Sequence, residues 1–469
     1  MAKTTIPEKT YDLIPSQQSM AYMLKYSIHK SVIQIPIMMA VHGQLDFDIL
    51  QKAFKEEVKR NDCLRIRFYK DKGETRQYFL PSYDQPDVEI KHFASNQEMN
   101  DFFNLDAQKP VPVYKSVPYR LYFFSTSDGR TGVYINTSHL IMDAYGVIIF
   151  YADLFSVYHA MAAGKEMPAP MYKYEDRVIK ELAYLKDEKK MKRDEEFYKE
   201  FWIKDGMPFY AGVHGHNILD KERKKKKDPE LRIPAAYDAL HDKCDMLVLD
   251  IPQEETKKIA DFCINNEESP ENVIEMGFRA HASKVNYDTD DTFSLQLCSR
   301  RVTYKDKKMG GCLCQPLAVR AIIPDTMTYR QGVKELDEVR NTLYRHMNYP
   351  YITSYAMERE IYHLSMFQAP SFMMFTWLPL PDMSGDKFPS IDFEGFNIGR
   401  YAMPLYTFAY PVPSEKVIKI RYLYRTSRIS ENVIRTLHAN ALKAIIDGID
   451  NPEKTMGEIK AGLKDVNEQ

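Results

Sequence analysis

The sequence predicts an α+β protein built as two mixed halves. Three observations carry that reading. Residues 46–164 interleave helix-like and strand-like stretches around a well-filled apolar pattern. A long charged helical segment follows, and then a polar break, "LDKERKKKKDPELRIP", with almost no apolar content. Beyond the break the pattern restarts as strand, helix, helix and strand.

The elements follow in order. "DFDILQKAFKEEVKR" places Leu50, Ala53, Phe54 and Val58 at helical spacing. "CLRIRFY" and "YRLYFFST" alternate as strands do. "GVYINTSH" is a third strand, with Val133, Ile135 and Thr137 on one face. "YGVIIFYADLFSVYHAMAAG" sets Val147, Tyr151, Leu154, Phe155 and Tyr158 on one helical face, with Gly164 as a stop. "DRVIKELAYLKDEKKMKRDEEFYKEFW" reads as one long surface connector helix with sparse apolar positions. The basic stretch after it reads as an exposed loop. "DMLVLDIP", "QEETKKIADFCINN", "SPENVIEMGFRAHASKV" and "TFSLQLCSRR" complete the second pattern.

Composition narrows the function classes. A chain of 469 residues has room for roughly three domains, or fewer large ones. Its 44% hydrophobic and 12% aromatic content belongs to a chain with real cores. A net charge of −2 gives no global electrostatic case for nucleic acid or a membrane surface. The first twenty residues carry no apolar core of signal-peptide type, and runs such as "GVIIFYADLF" are too short to span a bilayer. A cytoplasmic protein is expected, with no membrane span and no nucleic-acid partner. The six cysteines are irregularly spaced, so a disulfide framework is not expected. Cys312 and Cys314 alternate on a strand-like stretch, which turns both to one side; they read as small buried hydrophobes.

The chemistry centres on "TSHLIMDAYG". His139 ends an apolar strand, and Asp143 follows four residues on, immediately before a helix. Imidazole, with an ordinary pKa of about 6.5, is the usual proton acceptor near neutrality. It works best when another group fixes its orientation. No Ser or Cys sits in a G-x-S-x-G elbow, and no second His or carboxylate lies at metal-ligand spacing, so no metal is expected. Two plainer readings stand beside this one. Asp143 can be the N-cap of the helix beginning near Tyr145, and His139 a core histidine with one hydrogen bond. In a chain with 12 histidines, H-x-x-x-D alone does not decide between them.

"SHLIMDAYGVIIFYADLFSVYHAMAAGKEMP" resembles the H-H-x-x-x-D-G segment of nonribosomal peptide synthetase condensation domains, members of the chloramphenicol acetyltransferase-like superfamily. Other stretches resemble the family's motifs in the family's order. "PSQQSM" with Gln18 resembles the first, and "KRNDCLRIRF" is similar to the second. "YKYEDRVIKEL" with Tyr174 and Asp176 resembles the fourth, and "MGGCLCQPLAVR" with Gly311 and Arg320 the fifth. "HMNYPYITSY" resembles the sixth through His346 and Pro350, and "MFQAPSFMMFTW" the seventh.

The resemblance implies two chloramphenicol acetyltransferase-like lobes forming a V-shaped pseudo-dimer with an interlobe tunnel. Residues 1–178 would be the N-terminal lobe carrying the motif. Residues 179–469 would be the C-terminal lobe, including a connector helix over 176–203 and a basic loop over 219–233. By the same resemblance His139 corresponds to the active-site histidine. Asp143 corresponds to an aspartate whose role is mainly structural, paired with an arginine. Arg301 in "CSRRV" is the first candidate and Arg300 the second, since adjacent strand residues face opposite ways. An Arg–carboxylate pair would hold the loop by charge-assisted hydrogen bonds.

Two positions depart from the family pattern. Ser138 stands where the motif has its first histidine, and on a strand it points away from the face His139 uses. Ala144 stands where the motif has glycine, a costly change if that backbone requires positive φ. By the resemblance, Tyr145 and Gly146 would complete the motif and the tunnel wall.

The activity the resemblance implies is acyl transfer from a thioester to an amine or hydroxyl acceptor, in peptide, lipopeptide or related natural-product assembly. The protein would be stand-alone, monomeric and without a bound cofactor. Its donor would arrive in trans, on the phosphopantetheine of an acyl or peptidyl carrier protein or on coenzyme A. The lysines Lys224 to Lys227 could aid docking to an acidic carrier. The alternative is a catalytically impaired relative that binds a partner or a carrier, which Ser138 and Ala144 favour and the joint retention of His139 and Asp143 opposes.

Overall fold

The computed structural model describes residues 6–237, 239–378 and 391–466. The chain folds as mixed helix and sheet in two compact units. The first comprises residues 1–191, 299–315 and 381–400; the second comprises 192–298, 316–380 and 401–469. Neither unit is one continuous stretch.

The first unit is organised on a five-stranded sheet, in the order Ile391–Gly395, Gln34–His42, Arg130–Ser138, Tyr119–Thr126 and Glu89–Phe93. The central strand Arg130–Ser138 pairs antiparallel with both neighbours, in a register that sets Ser138 opposite Gln34. Its side chains divide by parity, as a strand requires. Val133 and Ile135 enter one apolar cluster with Phe54, Phe123, Phe150 and Tyr151. Tyr134 points to the other face, where it stacks on Phe103 with ring centroids 4.1 Å apart. Helices Phe47–Arg60 and Ala144–Ala162 cover the first face. Tyr151 fastens the second of these to the sheet by donating to the Ile37 and Val133 carbonyls at 2.9 and 3.0 Å. A small sheet of Tyr11–Asp12, Glu74–Phe79 and Ile66–Asp71 completes the unit.

Helix Ala144–Ala162 runs 19 residues and ends just before Gly164, the expected stop. By length and composition alone it could cross a membrane. Its packing makes it the core helix of this unit: Val147, Phe150, Leu154 and Val157 are fully buried, and Asp153 is held by Arg60.

The charged segment expected as one connector helix is two, Tyr174–Leu185 and Glu188–Lys204. Asp187 causes the break. Its side chain accepts from the Lys190 backbone N–H at 3.1 Å, capping the second helix where the first has ended. The basic stretch expected as a loop is helical over Asn217–Lys226, and Lys227 ends it in the left-handed region at φ 54°. Buried Leu219 anchors it, and Glu222 lies within reach of Lys225 and Lys226 one turn on.

The second unit carries a six-stranded sheet in the order Cys314–Ile322, Asp291–Ser299, Met374–Trp377, Leu405–Val412, Val417–Arg425 and Cys244–Ile251. Met374–Trp377 pairs parallel with both neighbours, and the last three strands pair antiparallel. Helices Pro270–Lys284 and Glu431–Asp450 pack together on it.

Candidate functional site

His139 sits one residue beyond the central strand of the first unit. Ser138 ends that strand, donating its N–H to the Pro118 carbonyl at 2.9 Å. Its buried hydroxyl accepts from the Leu140 N–H at 3.3 Å, and its carbonyl accepts from Ile141 at 3.0 Å. The chain therefore turns sharply after His139, whose own N–H donates to Ile33 at 2.7 Å. Ser138 serves this turn and leaves the imidazole untouched. His139 is half-buried, while Leu140, Ile141 and Met142 are fully buried. Surrounding protein lowers the His139 pKa below its ordinary value, against the upward pull of the Asp143 carboxylate.

Asp143 does two jobs at once. As N-cap of helix Ala144–Ala162 its Oδ1 accepts from the Gly146 N–H at 2.7 Å. The same oxygen accepts from Arg301 at 3.1 Å, and both residues are buried. Oδ2 accepts from the backbone N–H groups of Leu313 and Cys314 at 2.8 and 3.0 Å. Burial works to raise the Asp143 pKa, but the guanidinium and the backbone donors outweigh it and hold the group below the usual carboxylate range. It stays ionised.

Arg301 donates further to the carbonyls of Asp306, Met309 and Gly311, each at 2.8 Å, and lies over the Tyr145 ring. Arg300 points elsewhere, to Glu181, Ser16 and the Leu313 carbonyl. Two arginines adjacent in sequence thus brace opposite sides of the segment 299–315.

Gly146 and Gly311, both beside Asp143, have no room for a side chain. A Cβ on Gly146 would lie 2.6 Å from the Gly311 carbonyl. Gly311 has φ 94°, and a Cβ there would lie 2.2 Å from the Tyr174 ring. Ala144 needs no such freedom. It opens the helix in ordinary geometry and is not among the residues with positive φ, so alanine in place of the motif glycine costs the backbone nothing.

Gln17, Asp62 and Tyr174 complete the arrangement. Gln17, not its neighbour Gln18, donates to the Leu140 carbonyl at 3.0 Å beside His139. The Tyr174 hydroxyl donates to the Cys312 carbonyl at 2.8 Å, and Asp62 accepts from the N–H groups of Tyr174 and Glu175. Asp176 is exposed. His346 and Arg320 belong to the second unit. There His346 stacks on Phe197 and pairs with Asp194, and Arg320 pairs with Asp291.

Local spacing gave no reason to expect a metal, but the fold gathers soft ligands at the imidazole. Cys312 Sγ lies 3.7 Å from His139 Nδ1, and the ligand atoms of His139, Cys312 and Cys314 all lie within 4.8 Å of one another. Burial, then Cys314 and Asp143, push the Cys312 thiol pKa well up.

The family model of the Condensation domain matches residues 7–469, nearly the whole chain. The chain belongs to the Condensation domain family. This condensation domain is 25% identical over 354 residues to surfactin synthase subunit 1 of Bacillus subtilis (strain 168), covering 73% of this chain and 9% of that protein. It is 21% identical to bacitracin synthase 3 of Bacillus licheniformis over 97% of this chain and 7% of that protein. The chain therefore spans a small fraction of the curated relatives it matches. Among solved structures it is similar to the first condensation domain of the calcium-dependent antibiotic synthetase in complex with a substrate analogue. That likeness has a TM-score of 0.77 and 16% identity, over 96% of this chain and 98% of the other. It is similar to the starter condensation domain of rhizomide synthetase in complex with C8-CoA, with a TM-score of 0.77 and 15% identity over 96% and 97%. The X-domain from teicoplanin biosynthesis shares the fold, with a TM-score of 0.73 and 15% identity over 98% of both chains.

Proposed function

We propose that this condensation domain is an acyltransferase that joins a thioester-held acyl or aminoacyl donor to an amine or hydroxyl acceptor. The observation that carries the reading is the braced His139 loop. The half-buried His139 stands on a turn whose far end, Asp143, is locked by Arg301 and by the backbone of Leu313 and Cys314. A general base needs that kind of fixed placement.

In this reaction the acceptor lone pair attacks the thioester carbonyl and a new C–N or C–O bond forms. His139 accepts the acceptor's proton. The tetrahedral adduct collapses, the C–S bond breaks, and the proton returns to the departing sulfur. The donor is presented on the phosphopantetheine arm of a carrier protein or on coenzyme A, both of which supply the same thioester. The relatives include synthases of surfactin, plipastatin and bacitracin and a domain of the calcium-dependent antibiotic synthetase, which supports a nonribosomal peptide or lipopeptide setting. We place the protein in the cytoplasm, acting on a donor that a carrier protein or coenzyme A presents.

The alternative of an impaired binding module draws less support, because Ser138 and Ala144 both fit their places without disturbing His139. The deciding experiment incubates the protein with acyl-loaded carrier proteins and acyl-coenzyme A, offers mixed amines and alcohols, and reads products by mass spectrometry. Amide or ester formed by the wild type and lost in His139→Ala is expected. No product from any combination, with carrier binding intact, would overturn the transferase in favour of the binding module.

A further inference from the structure

We propose that His139, Cys312 and Cys314 form a zinc-binding site. Three features point to it. The first is distance. Tetrahedral zinc, with Zn–S of about 2.3 Å and Zn–N of about 2.1 Å, sets sulfur and nitrogen ligands roughly 3.6 Å apart. The Cys312 Sγ to His139 Nδ1 separation is 3.7 Å, and all three ligand atoms fall within 4.8 Å. Rotation about side-chain bonds closes the rest.

The second feature is the scaffold. The ligands stand on backbone that is already fixed. His139 follows a strand and is pinned through its N–H to Ile33. The Asp143 carboxylate holds the N–H groups of Leu313 and Cys314, and Tyr174 holds the Cys312 carbonyl. Metal sites depend on such outer partners to aim their ligands.

The third feature is charge. Zn²⁺ entering the site replaces one proton on each thiol, and both protons leave to solvent. One divalent cation, two thiolates and a neutral imidazole sum to zero. The buried surroundings therefore receive no net charge, which is the condition for placing ions in a protein interior. Two soft sulfurs and one imidazole select zinc over magnesium or calcium. Three protein ligands leave a fourth position for water.

One consequence rests on the transferase reading above; the site itself does not. A neutral imidazole has a single free lone pair. Once zinc takes it at Nδ1, Nε2 carries the hydrogen and can only donate. The base is gone while the metal is bound, so zinc switches acyl transfer off.

Cobalt is the spectroscopic probe. The full chain, reduced and kept without oxygen, is titrated with Co²⁺. We expect one equivalent to bind, with tetrahedral visible bands and a thiolate-to-cobalt band in the near ultraviolet, both erased by one equivalent of Zn²⁺. Cys312→Ala and Cys314→Ala should each remove half or more of the near-ultraviolet band, while Cys263→Ala, in the other unit, retains it. X-ray absorption on the zinc-loaded wild type needs no variant to fold and should find two sulfur scatterers. A wild type with no thiolate band, a band unchanged in both cysteine variants, or a zinc shell of oxygen and nitrogen only overturns the site. Cobalt binding with transfer unaffected by zinc keeps the site and removes His139 as the base. Transfer that depends on His139 without a cobalt signal does the reverse.

Discussion

Asp143 and Arg301 meet as a buried ion pair at 3.1 Å although 158 residues separate them in the sequence. The partners are unequal. Asp143 has three backbone N–H donors besides the guanidinium, whereas the charge of Arg301 is answered by Asp143, by carbonyls and by the face of the Tyr145 ring.

That inequality orders the variants. Asp143→Ala strands a buried guanidinium and removes a helix cap, and should destabilise the protein by about 3–5 kcal/mol. Arg301→Leu leaves the carboxylate its N–H donors and should cost less. The double variant should cost less than the two single losses added together. Chemical denaturation of the three proteins measures this, and equal single losses that simply add would refute the coupling.

Removal of the His139 imidazole is expected to cost little stability, because the residue is only half-buried and carries none of the bonds that brace its loop. Its effect on catalysis depends on the acceptor. A free amine with a pKa of about 8 is partly neutral without help. An alcohol is far less acidic and gains more from a base. His139→Ala should slow ester formation by roughly 10²–10⁴-fold and amide formation by less. Rates on matched amine and alcohol acceptors check the ratio; equal losses would show that the ring does not act by taking a proton.

The three small residues near Asp143 should respond differently. Gly311→Ala meets both a left-handed backbone and the Tyr174 ring, and should cost about 3 kcal/mol. Gly146→Ala presses on the Gly311 carbonyl and should cost roughly 1–3 kcal/mol. Ala144→Gly restores the motif residue yet relieves nothing, so a change under about 1 kcal/mol is expected. Melting temperatures rank the three, and a clear gain for Ala144→Gly would contradict the ordinary geometry found there.

Acid should weaken the second unit through His281. Asn440 accepts the Lys464 N–H through its Oδ1, so its amide nitrogen donates to His281 Nδ1 at 3.0 Å. His281 Nε2 donates to the Val213 carbonyl at 2.9 Å. The ring is thereby held neutral, and burial brings its pKa down to about 4. Because the unfolded chain binds the proton first, stability from this group is complete above pH of about 6.5 and declines as pH falls toward 4, by roughly 3 kcal/mol in all. Both tryptophans, Trp202 and Trp377, lie in this unit, so fluorescence-detected unfolding across that range reports it. His281→Gln should flatten the slope; an unaltered slope would assign the acid sensitivity elsewhere.

Much of the first unit could be read from pattern. Alternation in "GVYINTSH" set Val133 and Ile135 on one face, and the structure puts them in one cluster with Tyr134 opposite. Helical spacing found Leu50, Ala53, Phe54 and Val58, all fully buried. These are local periodicities, and local periodicity survives folding. What escaped is non-local or depends on a single hydrogen bond. Cys312 meets His139 across 173 residues, which spacing along the chain does not register. Gln17 and Gln18 are alike in sequence, and only the turn of their helix decides which reaches Leu140. The break at Asp187 comes from one capping side chain inside a stretch whose composition suits a helix throughout.

The first unit is assembled from three pieces of chain, the later two supplying Arg301 with the Leu313 and Cys314 amides and an edge strand beside Gln34–His42. A gene fragment ending near residue 191 would therefore express a motif whose aspartate faces no counter-ion and a sheet with a bare flank. Neither dissection nor recombination of this domain can be done with one clean splice. Any transplant of the histidine-bearing half must carry its two distant inserts with it.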